Sequence, residues 1–239
     1  MNKLSFCLCA TFILFCFNCG FSSIYTRWEP YKEVTFHVLA TIPGWCSKEK
    51  AEILMDFIHE TKPDVCVEIG AFGGSTSFPI ASALRFNNQG ILYAIDAWDN
   101  QAAIEGLDAN DPNLAWWVSL DMGSIYKQFV DKMTARKLNT WYRPISKRSE
   151  QAVNLFSDGV IDLLYIDGNF SSQGSLQDTV LYFSKVKKGG YIWLNDSHSP
   201  SKLESVIYLM ENATWLPEKS IKNRCIVFRK HGDTSHTVP

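Results

Sequence analysis

Asp64-Val65-Cys66-Val67-Glu68-Ile69-Gly70-Ala71-Phe72-Gly73-Gly74-Ser75-Thr76-Ser77 is an apolar run that ends in an acid and then breaks into glycines. Val65, Cys66, Val67 and Ile69 suit a strand covered on both faces, and Ala81, Ala83 and Leu84 continue at the spacing of a helix packed against it. The stretch predicts strand, tight turn and helix in succession. Glycine admits positive φ and the close approach of a ligand, while Ser75 and Thr76 fall where the free amides of a helix N-terminus receive an anion. Ligands of open parallel sheets bind beyond the carboxyl ends of the strands, so a cleft is expected at this turn.

Three further strands repeat the pattern. Ile91-Leu92-Tyr93-Ala94-Ile95-Asp96-Ala97-Trp98 ends in an acid about 20 residues after the turn, where a ribose-binding carboxylate is expected. Ile161-Asp162-Leu163-Leu164-Tyr165-Ile166-Asp167-Gly168 ends in Asp167, and Tyr191-Ile192-Trp193-Leu194 delivers Asn195, Asp196 and His198 to the same rim. A strand over 140–146 completes the parallel set. Helices are expected from a Ser47 cap through Ile58, over 125–138, from a Ser149 cap, over 176–183 and over 202–212. The basic run Lys185, Lys187 and Lys188, followed by Gly189-Gly190, reads as a solvated helix end with a glycine stop. Strands near 215–221 and over 224–229, joined by Lys222-Asn223, imply an antiparallel terminal pair.

The fold class is therefore α/β: a doubly wound, mostly parallel, Rossmann-like sheet of seven strands with an antiparallel C-terminal hairpin. Residues 24–230 form one domain, 231–239 a flexible tail, and 97–121 an insertion without clean periodicity. That insertion follows a strand's carboxyl end and carries Trp116 and Trp117 as apolar walls or stacking surfaces for a substrate. His37 and His59 read as structural or surface residues.

A formal net charge of −2, 46% hydrophobic and 20% charged residues mark an ordinary globular protein and give no electrostatic reason for a nucleic-acid partner. Residues 1–23 differ in kind. Lys3 precedes an uncharged apolar stretch over 4–21, which reads as a secretory signal peptide or, uncut, as an N-terminal membrane anchor giving membrane association. Four of the seven cysteines fall in that leader, leaving Cys46, Cys66 and Cys225, which make neither a disulfide framework nor a zinc spacing. The leader argues for export or anchoring and the cysteines of the body for the cytoplasm. Oligomeric state has no signature.

Glu68-Ile69-Gly70 with Gly73-Gly74-Ser75-Thr76, Ile95-Asp96-Ala97-Trp98, Ser149-Glu150, Ile166-Asp167-Gly168 and Lys188-Gly189-Gly190 resemble the motifs of class I S-adenosylmethionine-dependent methyltransferases. The branch resembled includes macrocin-type and other sugar O-methyltransferases and cephalosporin-hydroxylase-like proteins. The resemblance implies O-methylation of a small-molecule or sugar hydroxyl, with S-adenosylmethionine as cofactor. Glu68, Gly70 and Gly73 with the amides of Ser75 and Thr76 would hold its amino acid part. Asp96 would take the ribose hydroxyls, and Trp98 and Ser149 would lie near the adenine. Asp167, with Asn195 and Asp196, occupies the strand ends where metal-dependent relatives bind a divalent ion, an oxygen set that would suit Mg²⁺. Relatives commonly place a histidine where this chain has Phe170, which leaves His198, with Asp167, as the catalytic candidate. The alternative is a catalytically degenerate, membrane-tethered binding protein of the same fold. A nicotinamide dehydrogenase is disfavoured by the Gly70 to Gly74 spacing and the terminal hairpin.

Overall fold

Ser47 caps the helix that leads into the first strand. Its hydroxyl accepts from the Lys50 amide at 3.2 Å, and the helix ends at Lys62, which takes a left-handed φ of 48° just before Pro63. The computed structural model describes residues 26–232, so the expected leader lies outside the described residues, as does the tail from residue 233. Among the described residues no helix is long and apolar enough to cross a membrane.

In chain order the elements are helices α1 (Trp28–Leu39) and α2 (Lys48–Thr61), strand β1 (Val65–Ile69), α3 (Ser77–Asn87) and β2 (Ile91–Asp96). The insertion holds two short helices, α4 (Asn100–Ile104) and α5 (Leu114–Ser119), before α6 (Met122–Ala135), β3 (Tyr142–Ser146) and the short α7 (Ser149–Ala152). Then come β4 (Ile161–Ile166), α8 (Ser172–Phe183), β5 (Val186–Asn195), α9 (Leu203–Asn212), β6 (Ala213–Trp215) and β7 (Cys225–Lys230). The strands form one sheet in the order β3-β2-β1-β4-β5-β7-β6. The first five are parallel, and β7 runs antiparallel to both β5 and β6. The seven-stranded doubly wound sheet with its antiparallel end is thus as the sequence implies.

Alternation along the strands divides the core between the two faces. Cys66, Leu92, Leu163, Tyr165 and Trp193 pack under Leu54, Met55, Ile58, Ile80, Leu84 and Phe129. Val67, Ile69, Leu164, Ile166 and Leu194 pack with Tyr182, Phe156 and Leu209 on the other side. Both faces are covered, which is why these strands are apolar throughout. The chain reverses direction across the sheet between β1 and β4, and a crevice at such a switch point is where ligands bind.

Three expectations change. The strand expected near 215–221 lies instead over Ala213–Trp215, and a turn of 3-10 helix, Pro217–Lys219, follows it before β7. Lys187 to Gly190 belongs to β5, not to a helix end: α8 stops at Phe183, Gly189 adopts φ +75° at a register shift, and Lys187 Nζ pairs with Asp162 Oδ1 at 2.7 Å. Ser149 is not a helix cap, since Arg148 holds that position.

Gly70 is the glycine on which the switch point depends. Its φ is +88°, and a Cβ there would lie 2.2 Å from the carbonyl oxygen of Asp167. Gly70→Ala should therefore destabilise by about 3 kcal/mol, read as a Tm fall on the order of 10 °C. Gly159→Ala, at φ +69° but with nothing within 4 Å of the added carbon, carries the conformational strain alone and should cost about 1 kcal/mol. Equal losses at the two positions would show that close packing at Gly70 does not govern the turn.

Candidate active site

A cleft of about 1090 Å³ opens beyond the carboxyl ends of β1, β2, β4 and β5. Its floor is acidic. Glu68, Asp96, Asp167, Asn195 and Asp196 all line it, as do Gly70, Ser75, Thr76 and Ser149. Backbone pairing at the strand ends fixes this convergence: the Gly70 amide donates to Ile95 O at 2.8 Å and the Asp167 amide to Ile69 O at 2.9 Å.

Glu68 is 1% exposed and accepts a hydrogen bond from the Ser77 hydroxyl at the start of α3. Burial pushes its pKa up to about 8, against the opposing pull of the Ser77 hydrogen bond. A desolvated carboxylate with one hydroxyl partner is a site for a cationic group. Asp96 accepts from the Phe72 amide at 2.9 Å and from the Trp98 amide at 2.7 Å, one on each oxygen. Burial raises its pKa in spite of those amides. Each oxygen keeps a lone pair for a hydroxyl donor in the cleft. Ser149 donates to Asp178, an acid of α8 that also lines the cleft. Burial raises the pKa of Asp178 to about 6.

Asp167 is held from behind. Asn195 Nδ2 donates to Asp167 Oδ1 at 2.8 Å, and Asn195 Oδ1 accepts from both Lys50 Nζ at 3.1 Å and the Tyr165 hydroxyl at 3.0 Å. Burial pushes the Asp167 pKa up to about 6; the Lys50 charge and the Asn195 hydrogen bond work against it. Lys202, also buried, donates to Asn169 O at 3.0 Å and adds a further positive charge near Asp167 and Asp178.

The expected metal set does not fit a divalent ion. Both acceptor directions of the Asn195 carbonyl are taken by an ammonium and a phenol, and its amide nitrogen faces Asp167. Among the described residues no group of three or more His, Cys, Asp or Glu is placed to hold a metal. A fixed lysine charge stands behind the position that the resemblance assigns to Mg²⁺.

Three other expectations are corrected. Trp98 is 8% exposed and does not line the cleft: its left-handed φ of 43° turns the indole into the core, where Nε1 donates to Phe72 O at 2.9 Å and the ring stacks on Phe129. Gly73 lies against Pro43, whose carbonyl oxygen an added Cβ would meet at 2.5 Å, and faces no ligand space. His198 lines a smaller adjoining cavity of about 310 Å³ with Phe170, Asp196 and Arg224, not the main cleft. Conversely, sequence reasoning passed over Lys50, Asp178 and Lys202. For the two lysines a signal existed, since each stands at helical spacing from buried residues, Lys50 with Leu54 and Ile58 in α2 and Lys202, the residue before α9, with Ser205 and Leu209.

A family model described as "Methyltransferase domain" matches residues 67–197, more than half of the chain. No curated protein matches. Among solved structures the chain is similar to the S-adenosylhomocysteine-bound methyltransferase PaMTH1 of Podospora anserina, at 11% identity and a TM-score of 0.61 over 89% of this chain and 95% of that one. It is also similar to the O-methyltransferase TomG of Streptomyces achromogenes in complex with S-adenosylmethionine, at 13% identity and a TM-score of 0.57 over 90% and 95%. A putative caffeoyl-CoA O-methyltransferase from Staphylococcus aureus matches at 12% identity and a TM-score of 0.58 over 85% and 93%.

Proposed function

The chain belongs to the methyltransferase domain family, and we propose that it is a class I S-adenosylmethionine-dependent enzyme that methylates a hydroxyl oxygen of a small molecule, with Asp167 taking the hydroxyl proton. The observation that supports this most directly is the placement of Glu68, Asp96 and Asp167 on one cleft floor at the switch point of the sheet.

The cofactor fits the residues present. Glu68 is a buried acid suited to its ammonium, Asp96 keeps acceptor capacity for the ribose hydroxyls, and Ser149 with Asp178 stands at the adenine end of the family pattern. When bound, its sulfonium offers a methyl carbon to which the acceptor oxygen bonds, while the carbon–sulfur bond breaks and its electron pair stays on sulfur. The chain's own part is alignment and proton removal. Asp167, held by Asn195 and facing the cleft, is the carboxylate placed to accept that proton. The Lys50 charge behind Asn195 favours its ionised form.

Calorimetry with the full chain should show S-adenosylhomocysteine binding with a Kd of about 1–100 μM, unchanged by EDTA. No heat at about 1 mM ligand would remove the cofactor assignment. Loss of binding on chelation would restore the metal.

A further inference from the structure

Three of the largest exposed apolar side chains meet at one place. Trp45 is 60% exposed, Trp116 42% and Phe170 40%. They come from the turn before α2, from α5 and from the loop after β4, and they converge with Phe72 and Trp117 on the wall of the cleft. Large exposed aromatics gathered from separate segments into one concave wall mark a ligand site.

The rings pack on one another mainly edge to face, with Trp117 in the core and Phe72 against it. Trp45 and Trp116 lie 5.8 Å apart at 75°, Trp116 and Trp117 4.8 Å apart at 69°, and Phe72 and Trp117 5.8 Å apart at 78°. Phe170 adds a fourth direction, 5.4 Å from Trp117 at 44°. Trp45, Trp116 and Phe170 leave exposed surface on the cleft wall, and the π face of an exposed aromatic ring attracts an organic cation. The arrangement is anchored as well: Cys46 N donates to Ser75 Oγ at 3.3 Å, and the φ of +134° at Gly44 lets the turn sit on Ser75, whose Oγ an added Cβ would meet at 2.2 Å.

Charge around the wall agrees. Asp111, Asp167 and Asp196 line the same cleft, while its basic lining among the described residues is Lys147 and Arg148, the latter paired with Glu105. Such a field repels an anionic acceptor and draws a cationic one.

Resting on the methyltransferase reading, we propose that the exposed rings of Trp45, Trp116 and Phe170, backed by Phe72 and Trp117, form an open cage for an ammonium group carried by the acceptor, fixing it so that its hydroxyl faces Asp167. Phe170 is then not the loss of a base but the ring that completes the cage.

The test compares tyramine with 4-hydroxyphenylacetate, two phenols of similar size and opposite charge, titrated against the full chain loaded with S-adenosylhomocysteine and followed by tryptophan fluorescence. Tyramine should bind at least about tenfold more tightly than the carboxylate. Trp116→Ala, and separately Trp45→Ala, should weaken tyramine by about fivefold or more while the S-adenosylhomocysteine Kd moves less than about twofold. Equal or tighter binding of 4-hydroxyphenylacetate overturns the cage, as does an absence of tyramine saturation up to about 20 mM. If Trp116→Ala weakens S-adenosylmethionine but not S-adenosylhomocysteine, the rings serve the sulfonium and the assignment to the acceptor falls. Absence of S-adenosylhomocysteine binding to the parent chain would instead strike the methyltransferase reading.

Discussion

Asp167→Asn should lower kcat by about 10²- to 10⁴-fold while the S-adenosylhomocysteine Kd stays within about threefold. Asparagine is isosteric and still presents an oxygen to Asn195 Nδ2, so the hydrogen bond at 2.8 Å survives and only the capacity to take a proton is lost. A pH profile separates that loss from misplacement. Burial sets the Asp167 pKa at about 6, and the active form is the carboxylate. The parent kcat should therefore be flat above that pH and fall by about tenfold per unit below it. In the asparagine variant this acid limb should vanish. His198→Ala is the counter-experiment, because His198 lines the adjoining cavity and not the cleft. If that change collapses kcat and Asp167→Asn leaves it within about tenfold, the proton goes to the histidine and Asp167 is structural.

The two assignments differ because one was legible in the sequence and the other was not. An acid that ends a run such as Ile161 to Ile166 must lie at a parallel strand's carboxyl end, and the switch-point rule then brings Glu68, Asp96 and Asp167 together. No comparable rule governs His198, which follows Asp196 at φ 48°, a left-handed turn that no glycine announces. Trp98 was misplaced for the same reason. Its position after Asp96 was read correctly, but its left-handed backbone reverses where the indole points. Lys50 and Lys202 were missed because a charged residue within a helical pattern reads as solvated, whereas each is buried and pays for its desolvation through partners far away in sequence, Asn195 and the carbonyl of Asn169. The helix α1 escaped notice because its inward face includes Lys32 and Thr35 beside Tyr31 and Phe36. Lys32 pairs with Glu29 of its own helix and with Asp56 and Glu52 of α2, and the contacts to α2 exist only once the helices have packed.

Glu68→Gln should have the largest effect on the cofactor and an opposite effect on stability. The folded-state pKa of Glu68 is raised from 4.5 to about 8, chiefly by burial. Between those values the folded chain keeps the proton that the unfolded chain releases, so the folded state binds more protons and stability falls as pH rises through the window. The Glu68 contribution is fully present below about pH 4.5 and fully lost above about pH 8. Glutamine mimics the protonated acid at every pH. Without ligand the variant should match the parent's Tm near pH 5 and exceed it increasingly toward pH 8, by several degrees for a gain of a few kcal/mol. Cofactor binding should move the other way. The ammonium of the ligand favours the carboxylate, so the parent's S-adenosylhomocysteine Kd should tighten by up to about tenfold per unit between pH 6 and 8. The glutamine variant should bind about 10²-fold more weakly at pH 8 and show no such slope. Because the buried acid opposes folding when empty and is relieved when its cationic partner arrives, the ligand-induced rise in Tm should itself grow with pH in the parent and stay level in the variant. A variant that is less stable at pH 8 while binding the ligand as well as the parent would place Glu68 among the groups that build the fold and remove it from the site.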